Sequence, residues 1–197
     1  MSRVQRLTVV LVLNLALVAG LAAVGVGAHS LGVLAEGGDY LLDAVGAGLA
    51  LLAIRVSARR PHGGRLSPTG AAALVNAGWL LALELIVAGA SIDRLATRTP
   101  KVHGLPVLVA SGIAALVMTA AALVLRRDDD GDQRDLSVAA VLLGTMADAA
   151  AAAGVAAAGA VIVLLGGWYW LDPAVALTIA VVVAYHAVAL IRTIHRR

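Results

Sequence analysis

Residues 30–44, from Ser30 to Ala44, read SLGVLAEGGDYLLDA. The stretch sits inside a long apolar segment, yet it carries Glu36, Asp39 and Asp43. An α-helix turns by about 100° per residue. Asp39 and Asp43 then lie roughly 40° apart around the axis and one turn apart along it, with Glu36 one turn earlier on the same side. A carboxylate in the middle of a bilayer helix costs on the order of 3 kcal/mol. Such residues face a bundle interior, a water-filled cavity or an ion path. The stretch therefore predicts a membrane helix with one functional face.

The remainder of the chain fits that reading. Of 197 residues, 61% are hydrophobic and 14% charged, with a mean hydropathy of +0.94. A soluble domain carries about 25% charged residues. The expected fold class is all-α, a polytopic membrane protein with six transmembrane helices. No polar stretch is long enough to fold as a separate soluble domain. The chain has no cysteine, which excludes thiolate metal ligation and disulfides. No basic patch interleaved with aromatics points to nucleic acid.

The predicted spans cover about 7–28, 31–54, 70–92, 105–125, 138–165 and 173–191, lengths suited to a hydrocarbon core that needs roughly 20 residues. The first exceeds the 7–15 apolar residues of a typical signal peptide. Asn14 within it reads as a helix–helix contact. Twelve basic residues fall at the two ends and in the loops after spans 2 and 4: Arg3, Arg6, Arg55, Arg59, Arg60, Arg65, Arg126, Arg127, Arg134, Arg192, Arg196 and Arg197. Only Arg94, Arg98 and Lys101 fall on the other side. The positive-inside rule then puts both termini in the cytoplasm of a cell-membrane protein. Trp168, Tyr169 and Trp170 take the outer interface. His29, His62, His103 and His195 read as solvated, and His186 as a packing histidine. The loop residues Asp128, Asp129, Asp130, Asp132 and Asp135 read as a solvated connector.

The intramembrane acids are Glu36, Asp39, Asp43, Glu84 and Asp148. Asp43 lies about 12 residues below the outer end of span 2, and Asp148 about 17 below that of span 5, so both sit near the midplane. Two antiparallel helices can bring Asp39, Asp43 and Asp148 together. Neighbouring small residues, Gly46, Gly48, Ala149 to Ala153 and Gly154, allow close backbones. Clustered carboxylates in a low dielectric either keep protons or bind a cation, and competition between the two is the chemical basis of metal–proton exchange. Oxygen ligands favour harder divalent ions such as manganese, with iron(II) and zinc next. Glu36 lies nearer the outer surface and suits a structural or entrance role. Glu84 suits a proton carrier or a hydrogen-bonding partner.

These residues resemble the cation diffusion facilitators, six-span exporters of divalent metals in exchange for protons. Ser30 through Asp43 is similar to the family's span 2 motif, with Asp39-x-x-x-Asp43 as its ligand pair. Asp148-Ala149 matches the second half of the span 5 motif, and Trp170-Leu171-Asp172-Pro173 resembles the opening of span 6. The resemblance implies metal ligation by Asp39, Asp43 and Asp148. The family's fourth ligand position is Gly144 here, which offers no side-chain donor. Water, Glu36 or Glu84 are the candidates to complete the shell. The family's C-terminal cytosolic domain has no counterpart expected after span 6, so a homodimer would form through membrane helices.

The leading expectation is divalent-metal efflux in exchange for protons, with the metal ion, protons and the lipid bilayer as partners and no resident cofactor. The alternative is a non-transporting or partner subunit with a degenerate metal site, motivated by Gly144. An intramembrane aspartyl hydrolase using Asp39 or Asp43 with Asp148 as a dyad is the third reading. It is disfavoured by the span 6 resemblance, and no enzyme activity is expected.

Overall fold

Backbone polar groups in lipid must be satisfied within their own segment, which leaves a helix as the form for each long apolar stretch. A computed structural model of the chain describes residues 3–57, 68–128 and 136–195. Over these the chain forms α1 (Arg3–Ala28), α2 (Leu31–Ser57), α3 (Pro68–Ala96), α4 (Gly104–Asp128), α5 (Leu136–Leu165) and α6 (Leu171–His195). No strand occurs among the described residues. Pro68, Pro106 and Pro173 fall in first turns, where a missing N–H costs no intrahelical bond. Arg59, Arg60, His62, Arg65, Asp129, Asp130, Asp132, Arg134, Asp135, Arg196 and Arg197 lie outside the described residues.

Among the described residues, four segments are long and apolar enough to cross a membrane: Leu11–Ala28, Gly104–Leu123, Leu142–Leu165 and Leu171–Ala189. The acids that distinguish α2 and α3 also lower their hydropathy. The outward surface is apolar in a way that water would not tolerate. Leu116 is 72% exposed, Leu143 71% and Leu164 81%. Such a surface belongs against lipid.

α2 is the central element and packs against each of the other five helices. Its buried residues include Val33, Ala35, Glu36, Tyr40, Leu42 and Ala44. α3 packs along α6, and α4 along α5. Among the described residues, the α3–α6 pair reaches the other helices through α2 and through the α5–α6 contact. Small residues set these distances. A Cβ placed on Gly159 of α5 would lie 2.7 Å from the Leu108 amide nitrogen and 3.0 Å from the Gly104 carbonyl oxygen. α4 and α5 therefore touch backbone to backbone at this level.

The link between α1 and α2 is a tight reversal. The Ser30 amide donates to the Gly25 carbonyl at 3.0 Å, and the His29 amide to that of Val26 at 3.3 Å. His29 has φ +59°, the left-handed conformation that a Schellman ending requires. Two residues therefore suffice to turn the chain back on itself.

Candidate functional site

The acids of α2 share one side of the helix but sit at different levels along it, and they meet different neighbours. Glu36 is buried, Asp39 half-buried and Asp43 exposed. Glu84 on α3 is buried, and Asp148 on α5 half-buried. Asp43 meets Asp148 side chain to side chain. Asp39 meets Glu84 in the same way and also feels the charges of Asp43 and Asp148. Of the set expected from sequence, α2 and α5 thus bring Asp43 to Asp148, while the direct partner of Asp39 comes from α3. Among the described residues, no group of three or more His, Asp or Glu is arranged to hold a metal ion. The acids stand as two adjacent pairs, a turn apart on α2.

Polar satisfaction is incomplete at the inner pair. Asp39 Oδ1 and both carboxylate oxygens of Glu84 are buried without a hydrogen-bond partner. Two ionised carboxylates are acceptors only, so neither can satisfy the other. A shared proton or a cation is what such a pair lacks.

A glycine beside the acid permits this approach. A Cβ on Gly38 would lie 2.6 Å from Leu83 Cδ2. Gly38 precedes Asp39 and Leu83 precedes Glu84, so this tight α2–α3 contact lies next to the carboxylate pair.

Glu36 is held apart from this cluster. Ser111 Oγ of α4 donates to Glu36 Oε2 at 2.6 Å, within a buried α2–α4 contact. Glu36 Oε1 and the Tyr40 hydroxyl are buried without partners. Gly144 is exposed, and a Cβ there would meet nothing within 4 Å. His186 is exposed, with Nδ1 2.8 Å from the Val182 carbonyl oxygen of its own helix. The rings of His29 and His103 lie 6.3 Å apart at the α1–α2 end of the bundle.

Sequence reasoning did not foresee what Asp172 does. Ser30 Oγ donates to Asp172 Oδ1, and the amides of Leu31 and Gly32 donate to the same carboxylate at 2.7 and 3.2 Å. Ser30 Oγ also accepts from the Val33 amide at 3.1 Å. Ser30 is thus the N-cap of α2, and Asp172 from α6 takes the next two free amides with its negative charge at the positive end of the helix. Arg94 of α3 lies 4.0 Å from Asp172 Oδ2 and donates to the His29 carbonyl at 2.7 Å. One carboxylate ties together the start of α2, the end of α3 and the start of α6. The signals were a serine before an apolar helix and an acid before a proline.

A family model described as the cation efflux transmembrane domain matches residues 7–194.

Proposed function

The chain belongs to the cation efflux family, whose members transport cations across a membrane, and on that premise we propose that it exports divalent metal ions from the cytoplasm in exchange for protons. The observation that carries the reading is the meeting of Asp43 with Asp148 across α2 and α5, with Asp39 a turn away. Asp39, Asp43 and Asp148 are the proposed ligands. The carboxylates repel one another when empty of counter-charge. Two protons or one divalent cation relieve that repulsion, and each excludes the other. The exposure of Asp43 leaves one of the proposed ligands uncovered by neighbouring side chains.

In this reading all six helices cross the cell membrane with both termini in the cytoplasm, as the excess of arginine on that side favours. The α3–α6 pair is the part best placed to rock against the remaining helices and to alternate access to the acids. Purified protein in proteoliposomes is expected to move metal into the lumen down an opposing proton gradient, and Asp43→Ala is expected to abolish the flux. Wild-type vesicles that match empty ones across zinc, manganese, iron, cobalt and cadmium would sink the reading. Gly144 favours a second reading, a partner subunit of the same fold that binds without transporting. Wild-type flux eliminates it.

A further inference from the structure

We propose that Glu84 of α3 is itself a ligand of the transported cation, so that four carboxylates from three helices form an all-oxygen site selecting manganese-like divalent ions over zinc and cadmium. The inference rests on the exporter reading and adds to it both a ligand and a substrate class.

Three observations converge on Glu84. It is 1% exposed, so its charge is out of reach of solvent. Both of its oxygens lack a hydrogen-bond partner, as does Asp39 Oδ1 opposite them. An acid placed for structure alone would be hydrogen-bonded, as Glu36 is by Ser111. Finally, the helices come together here through Gly38, which lets Leu83 seat where a side chain would otherwise stand. The approach aims Glu84 at Asp39 and not at lipid.

The opposite wall is short of a donor. α5 offers Asp148, but Gly144 one turn earlier contributes nothing and its Cβ position is open. Glu84 supplies from α3 what α5 does not. Asp39–Glu84 and Asp43–Asp148 stand as separate pairs. Their α2 members are one helical turn apart, about 5–6 Å. The proposed site closes across that gap, with the carboxyls of Glu84 and Asp148 turning toward a shared cation. Four carboxylates carry no imidazole or thiolate. Oxygen-only shells suit manganese and similar hard ions, whereas zinc and cadmium gain most from nitrogen and sulfur donors.

The test uses the purified 197-residue chain in nanodiscs for binding and in proteoliposomes for flux, with manganese, zinc and cadmium chlorides as probes. Wild type is expected to bind and move manganese ahead of the other two. Glu84→Gln, of the same shape and able to donate to Asp39, is expected to lower manganese affinity by about tenfold or more while its metal-free thermal unfolding is retained. Gly144→His on that background is expected to restore binding with zinc now ahead. A merely structural glutamate would not be replaced by a donor on α5. If Glu84→Gln stays within about twofold of wild type for manganese while Asp43→Ala loses binding, the ligand role of Glu84 is overturned and the exporter reading stands. A wild type that prefers zinc overturns the substrate class. A wild type that moves no metal overturns the exporter reading and this inference together.

Discussion

Asp43 and Asp148 are two acids that the fold holds side by side, an arrangement that a shared proton or a bound cation makes favourable. Asp148→Asn removes the repulsion and also a proposed ligand. It should leave metal-free stability unchanged or raise it by well under about 1 kcal/mol, since Asp43 is not enclosed by the bundle. The stabilisation that manganese gives the wild type should vanish. Thermal unfolding with and without manganese chloride reads both. Ser111→Ala tests a different acid. It strips the hydrogen bond from Glu36 and leaves a buried carboxyl with neither oxygen satisfied. A cost of about 1–3 kcal/mol is expected, with metal affinity little changed. A large loss of affinity with stability intact would move Glu36 into the metal site.

At the scale of elements, α2 is secured at one end by a residue from another helix. Asp172→Ala releases the amides of Leu31 and Gly32 and leaves the Ser30 hydroxyl without its acceptor. It should cost about 2 kcal/mol or more. Hydrogen exchange should quicken first at Leu31 and Gly32, before the rest of α2. Exchange that rises evenly along the helix would argue against a local clamp. The α4–α5 contact makes a second test. Gly159→Val forces a side chain against the Leu108 amide and the Gly104 carbonyl, backbone atoms that cannot turn aside. Overpacking of about 1–3 kcal/mol is expected. Gly144→Val, on the same helix but with open space beyond its Cβ, should cost much less.

At the scale of the whole molecule, the absence of cysteine makes the native chain a ready background for topology mapping. Thr97 and Arg192 are both exposed and lie at opposite ends of the bundle in the proposed topology. In cells, Thr97→Cys should react with a membrane-impermeant maleimide from outside, and Arg192→Cys only after permeabilisation. The reverse pattern would invert the transporter and turn export into import.

The helical architecture was legible because its cause is local. A bilayer leaves a long apolar run one backbone solution, and the spans expected to end at 28, 92 and 165 lie within a few residues of the ends of α1, α3 and α5 at Ala28, Ala96 and Leu165. The positions of the five acids along the helices were legible for the same reason, since depth follows from residue count. Their partners were not. Helical periodicity says that Asp39 and Asp43 share a side of α2, but not which helix covers it. Gly38 admits Leu83, and so Glu84 and not α5 stands against Asp39. Asp172 likewise caps a helix that begins 141 residues before it. The sequence alone determined that acids would stand within apolar helices. Which acids would meet was decided by the tertiary structure, because pairing depends on how each helix is rotated, and contacts such as that of Leu83 against Gly38 set that rotation.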